Sequence, residues 1–251
     1  FNISTAAAFV VAGAGLRVAK HGNRAASGQC GSADVLEAFG VKIDLGPEGV
    51  KRCIEEVGIG FMFAPAFHPS MRHAAPVRRE IGIRTVFNFL GPLTNPAGVQ
   101  VQVIGVPNAA MAEKLAQALL RLGTTRRALV VHGQDGLDEI TLTGPTLVWE
   151  LNRGSLAQYP IDPVTLGLRT TRLQALKGGD VATNKSIMAA VLQGQKGPAR
   201  DVVLLNAAAA LMAAEAARDL KNGLALAATA IDSGEAYGKL QALATLSQTL
   251  K

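Results

Sequence analysis

Apolar positions along this chain fall into runs with either helical or strand-like spacing, and most runs are separated by short polar stretches. Residues 5–14 are apolar almost throughout and follow Ser4 and Thr5, whose hydroxyls suit a helix N-terminus. Residues 16–19 read as a short buried strand, and Lys20-His21-Gly22-Asn23-Arg24 as a cationic turn after it. A helix is predicted over 32–39, with Asp34 in its first turn and Gly40 at its end. A second helix is predicted over 47–57, a buried strand over 59–64, and a helix over 69–80 with basic residues in its last turn. The β-branched run 101–106, the amphipathic run 109–122 closed by Gly123 and the run 127–131 form a strand–helix–strand unit. That order suggests a parallel sheet with crossover helices. Residues 141–151 suggest a hairpin turned at Gly144-Pro145, and 162–179 a loop-rich stretch. Helices follow over 183–193, 200–217 and 223–233, and the alanine-rich part from 206 to 217 suits close packing in a core.

Composition narrows what such a chain does. Of 251 residues, 49% are hydrophobic and 18% charged, which supports a large core and argues against disorder. Aromatics make up only 4%, so Ala, Leu, Val and Ile build that core. The 25 Lys and Arg against 19 Asp and Glu leave a formal charge of +6. The basic residues are scattered, with no basic block interleaved with aromatics, so a small anionic molecule fits better than nucleic acid. Cys30 and Cys53 show no zinc-type spacing and fit a reduced compartment. No stretch is long and apolar enough to span a membrane without charge, glycine or proline, so no membrane partner is expected.

Three polar constellations stand out against this apolar background. The first runs from Asn2 to Thr5 and from Lys20 to Asp34. Alone, Ser4 and Thr5 read as caps, and Lys20, His21 and Arg24 as a solvated turn. Placed at the end of a buried strand, beside the small residues Ser27-Gly28-Gln29-Cys30-Gly31-Ser32, they also suit a phosphate. The second is Gly133 to Glu139, where the adjacent carboxylates Asp138 and Glu139 are either an acidic turn or ligands of a shared divalent cation, Mg2+ fitting best. The third is His68-Pro69-Ser70-Met71-Arg72-His73 through Arg78-Arg79, in which Arg78 is suited to a carboxylate. The rigid turn Gly91-Pro92-Leu93-Thr94-Asn95-Pro96 reads by itself as structural. No nucleophile triad, Walker loop or dinucleotide fingerprint is present.

At these residues the chain resembles the anthranilate phosphoribosyltransferase family. The resemblance is carried by Asn2-Ile3-Ser4-Thr5, Lys20-His21-Gly22-Asn23-Arg24, Gly31-Ser32-Ala33-Asp34, Phe63-Ala64-Pro65, Pro76-Val77-Arg78, Asn88 through Pro96, and Leu137-Asp138-Glu139, in family order. It implies an α/β fold of the nucleoside phosphorylase/phosphoribosyltransferase kind, with a mostly parallel central sheet flanked by helices. Residues 1–68 and 91–251 would form the phosphoribosyl-transfer domain, and 69–90 a helical segment packing with a small helical domain. It implies transfer of the phosphoribosyl group of 5-phosphoribosyl 1-pyrophosphate (PRPP) to anthranilate, in tryptophan biosynthesis, by a cytoplasmic homodimer using two Mg2+ ions. In this reading Ser4, Asp138 and Glu139 ligate metal, and Lys20, Asp138 and Glu139 serve catalysis. The PRPP cradle comprises Asn2, Ile3, Ser4 and Thr5, then Lys20, His21, Gly22, Asn23, Arg24, Ala25, Ala26, Ser27 and Gly28, with Ser32. Asn23 and Arg78 contact anthranilate, with His21, His68 and Pro92 as pocket walls.

Two departures are visible. Gly28 stands where the family commonly has serine, and the family's glycine-rich pyrophosphate loop would lie ahead of Phe1. On this reading a polypeptide starting at Phe1 is expected to be inactive or aggregation-prone. The alternatives are a pyrimidine nucleoside phosphorylase, whose lysine- and serine-rich motifs do not stand here, and a non-catalytic binding relative.

Overall fold

A computed structural model describes residues 1–25, 28–71, 73, 80 and 90–250. Helix α1 (Ile3–Gly13) has nine of its eleven residues buried, so it is apolar on nearly every side and runs through the centre of the molecule. It packs against α7 (Pro198–Ala213) and α9 (Glu235–Thr249), with α8 (Leu220–Asp232) beside them. Alanines at 207, 208 and 209 on α7, all fully buried, allow these helices to approach closely.

Strand β1 (Val18–Gly22) lies parallel to β2 (Ile59–Phe63), with Lys20 opposite Phe61 and His21 opposite Met62. Helices α2 (Ser32–Ala38) and α3 (Pro47–Glu56) connect them, and the short α4 (Ala64–Phe67) follows β2. A second sheet holds β3 (Val101–Gly105), β4 (Arg127–Gly133), β5 (Thr146–Asn152) and β6 (Ser155–Ile161) in that order. Helix α5 (Ala109–Leu122) makes the crossover from β3 to β4. Asn108 caps it by accepting from the Met111 N–H at 3.1 Å, and Gly123 ends it in the left-handed conformation. Strand β4 is buried on both faces. Leu129 and Val131 join the main core, while Ala128 and Val130 join a second one with Leu115, Leu119 and Trp149 beneath α5.

The α/β class expected from the sequence is therefore observed. The four-stranded sheet is mixed, β3–β4 pairing in parallel and β4–β5 and β5–β6 antiparallel, whereas the two-stranded β1–β2 sheet is parallel. Helices expected over 183–193, 200–217 and 223–233 are present as α6 (Val181–Leu192), α7 and α8, and α9 extends beyond them.

Three local expectations are corrected. The hairpin does not turn at Gly144-Pro145. It turns at Arg153-Gly154, where φ of +47° and +83° gives the mirror-image turn that matches strand twist. The 16–19 strand is shifted to Val18–Gly22, so Lys20 and His21 are strand residues rather than part of a turn. Ser4 and Thr5 lie inside the first turn of α1, and Asn2 stands at the cap position. The expected 69–80 helix, and most of the 69–90 segment assigned to a separate packing role, lie outside the described residues.

Candidate functional site

A cleft of about 940 Å³ opens between β1 and β3, roofed by residues 90–95 and floored by α1 and α7. Its polar wall begins on α1. Because Ile3 and Thr5 point into the core, Ser4 between them is exposed to the cleft. The Ser4 backbone N–H donates to Glu139 Oε1 at 3.1 Å, and Lys20 Nζ on β1 donates to Ser4 Oγ at 3.4 Å. Three segments distant in sequence thus meet at one point.

The electrostatics of that point are unusual. Desolvation raises the Glu139 carboxyl, the neighbouring Asp138 charge raises it further, and together they bring it to about 7 despite Lys20 and Ser4 pulling it down. Desolvation also lowers the Lys20 ammonium from its ordinary value, with Glu139 opposing that effect. A divalent cation would relieve the carboxylate repulsion. Among the described residues there is no cluster of three or more His, Cys, Asp or Glu able to enclose an ion. Two adjacent carboxylates and one hydroxyl at an open cleft do suit Mg2+, which keeps waters and shares its shell with substrate phosphates. The acidic stretch also runs close to β3: a side chain at Gly105 would strike the Asp138 backbone.

The other wall carries His21 from β1 and His68 after α4. Their ring centroids are 5.0 Å apart, edge to face, and both Nε2 atoms are buried without a hydrogen-bond partner among the described residues. Desolvation, then the proximity of His68, lowers the His21 pKa, with a bond to the Gly91 backbone acting the other way. Pro92 closes this end from the 3₁₀ turn Gly91–Leu93. Asn95 fixes that turn to β1 by donating to the Ala19 carbonyl at 3.3 Å. Gly22 and Asn23 complete the lining.

The remaining sequence-predicted positions surround the cleft rather than line it. Asn2 holds the neighbouring loop, donating to the Cys30 carbonyl at 3.2 Å and accepting from Asn184 at 3.1 Å. Thr5 donates to Ser32 Oγ at 3.1 Å, so those hydroxyls satisfy each other. Arg24 faces α2, where it pairs with Asp34 at 2.9 Å and Glu37 at 2.8 Å and lies over the Phe63 ring. Asp34 gathers the loop, accepting from the Ala25 N–H at 3.0 Å and the Gly31 N–H at 2.8 Å. Gly31 has no room for a side chain because the 23–25 backbone crosses it. Gly28 is exposed on the same loop. Ala26, Ser27 and Arg78 lie outside the described residues. Asn95 and Asn206 line the cleft without a role assigned from the sequence, and Asp135 lies behind it, bonded to Leu137, Thr141 and Thr143. Asn206 has a readable signal, as an amide in a helix of alanines and leucines.

Residues 1–237 match the family model described as "Glycosyl transferase family, a/b domain". The anthranilate phosphoribosyltransferase of Chloroflexus aggregans is 60% identical over 250 residues, covering 99% of this chain and 73% of the relative. The crystal structure of the Thermus thermophilus anthranilate phosphoribosyltransferase superposes with a TM-score of 0.92 at 49% identity, covering 98% of this chain and 73% of that one. The Saccharomyces cerevisiae enzyme in complex with PRPP and Mg superposes with a TM-score of 0.93 at 29% identity, covering 100% and 70%.

Proposed function

The chain belongs to the anthranilate phosphoribosyltransferase family, and from that premise we propose that the β1–β3 cleft is where the phosphoribosyl group of PRPP passes to the amine of anthranilate. The convergence of Ser4, Lys20 and Glu139 supports this reading most directly, because it concentrates cationic and cation-binding groups where a pyrophosphate would leave. As the bond from ribose C1 to pyrophosphate breaks, negative charge grows on the leaving oxygens and positive charge on the ring. The Lys20 ammonium, desolvated at the cleft wall, stabilises the former without reorganising. Ser4, Asp138 and Glu139 would hold Mg2+, which supplies further charge neutralisation of the pyrophosphate when bound.

His21, His68, Pro92 and Asn23 form the wall that would orient anthranilate, with Arg78 assigned to its carboxylate. The aromatic amine is nucleophilic when neutral, so aligning it with C1 contributes more than deprotonating it first. Among the described residues the buried Nε2 atoms of His21 and His68 have no hydrogen-bond partner, and burial together with the nearby His68 favours the neutral form of the His21 ring. The phosphate-loop roles of Asn2, Ile3, Thr5, Gly22, Arg24, Ala25, Ala26, Ser27, Gly28 and Ser32, the second Mg2+, a homodimer and a cytoplasmic location belong to the same reading and rest on the family resemblance. No helix among the described residues is long and apolar enough to cross a membrane.

Loss of anthranilate fluorescence on mixing the protein with PRPP and Mg2+ tests the proposal. Lys20→Met is expected to lower kcat by about 100-fold, the scale of losing one preorganised charge-stabilising donor. Parent-like turnover in Lys20→Met would remove this cleft wall from the reaction.

A further inference from the structure

Asp138 and Glu139 sit on residues 134–145, which belong to neither helix nor strand between β4 and β5. Without a ladder of backbone bonds, such a stretch keeps its shape only if side chains supply the missing partners. Thr146 Oγ1 accepts from the Thr141 N–H at 3.0 Å, and two further side chains, Asp135 and Asn206, hold the backbone on either side of the acidic pair. Asp135 Oδ1 accepts from the Leu137 N–H at 3.0 Å, and its Oδ2 accepts from the hydroxyls of Thr141 at 2.8 Å and Thr143 at 2.7 Å. One carboxylate therefore ties together residues before and after the pair.

Asn206, on α7 and only 4% exposed, grips the residue directly after Glu139. Its Oδ1 accepts from the Ile140 N–H at 3.0 Å, and its Nδ2 donates to the Ile140 carbonyl at 2.8 Å and the Val202 carbonyl at 2.8 Å. Both backbone groups of Ile140 are thus bonded to one amide, while the Ile140 side chain is fully buried. An amide within an apolar helix is costly to bury unless paired, and here it is paired to the acidic stretch.

We propose that Asn206 and Asp135 are positioning residues for the transfer reaction, fixing the 137–141 backbone so that Asp138 and Glu139 are presented to Ser4 and Lys20. The proposal rests on the reading that these carboxylates hold Mg2+. Asn206→Leu leaves both Ile140 backbone groups unpaired at similar volume. Asp135→Asn replaces a three-bond acceptor with an amide that cannot accept at both ends. Outer-shell partners of metal ligands are typically worth 10–100-fold in metal affinity.

Hydrogen–deuterium exchange on the metal-free protein should show protection lost in the peptide spanning 137–141 in both variants, with α1 unchanged. In the full reaction, the Mg2+ concentration giving half-maximal rate should rise at least about 10-fold, while the anthranilate KM changes less than about twofold. Glu139→Gln is measured alongside. If it leaves the Mg2+ dependence unchanged, the metal reading fails. If it shifts that dependence and neither Asn206→Leu nor Asp135→Asn does, the positioning proposal alone is overturned. Should Asn206→Leu not fold, Thr143→Val, which deletes one bond to Asp135 at a half-buried site, should move the Mg2+ dependence in the same direction by less. A flat response there also overturns the proposal.

Discussion

Gly105→Ala offers a direct test of how closely the acidic stretch is seated. β3 ends at Gly105, and an alanine Cβ there would lie 2.5 Å from the Asp138 carbonyl carbon and closer still to its oxygen. Ordinary contacts of this kind begin at 3.4 Å, so the carbon alone demands about 1 Å of retreat and the nearer carbonyl oxygen demands roughly 2 Å of the Asp138 backbone. β3 cannot yield instead without breaking its register with β4, where Gly105 opposes Val131. A 1 Å misplacement near reacting groups already costs on the order of 100-fold, or about 2.7 kcal/mol of transition-state stabilisation, and this displacement is larger, so that figure is the minimum expected. The assay is anthranilate fluorescence decay at saturating PRPP across a Mg2+ series, with a thermal melt in parallel. The expected result is a large fall in kcat/KM, partly recovered by excess Mg2+, in a protein that still melts cooperatively. A folded variant within threefold of the parent at every Mg2+ concentration would refute the reasoning.

Glu139→Gln should have a pH signature in metal-free buffer. Because the carboxyl is raised to about 7 from an ordinary 4.5, the folded protein holds a proton that the unfolded chain releases in that window. The parent therefore loses stability as pH rises from 4.5 to 7, and the amide does not. Its melting temperature should exceed the parent's at about pH 8 and approach it near pH 4, and an equal gap at both values would contradict the shift. Arg78→Ala should raise the anthranilate KM far more than the PRPP KM, by roughly 30-fold or more for a lost bidentate pair of about 2–4 kcal/mol. Equal effects on both constants would sink that assignment.

Much of the fold is legible in the sequence because the apolar runs are long and their boundaries chemically marked. The 109–122 run closed by Gly123 matches α5, and the 101–131 unit gives the parallel pairing of β3 with β4. The hairpin is misplaced because Gly144-Pro145 has the stronger turn composition, whereas the true turn places an arginine at positive φ. β6 escapes notice because Ser155–Ile161 lacks a clean alternation of apolar and polar positions and contains Pro160, which an edge strand tolerates. At the site, Ser4, Lys20 and Glu139 stand out individually, but their meeting depends on tertiary packing across 135 residues of sequence. The Arg24 guanidinium reads as an anion binder, and the structure gives it to Asp34 and Glu37, a local pairing visible only once α2 is in place.

Burial of α1 makes the two sides of the polar wall unequal in compliance. Ser4 is carried by a helix whose displacement would open the main core, so it moves only with global unfolding. Asp138 and Glu139 ride on an irregular span whose seat depends on side-chain bonds from Asp135 and Asn206 beside a few backbone ones. The cleft is therefore a vice with one jaw set by the core itself and one jaw set by a few replaceable side chains. Mutations that retune ion preference should accumulate in 134–145 and at the side chains that seat it, and leave α1 untouched.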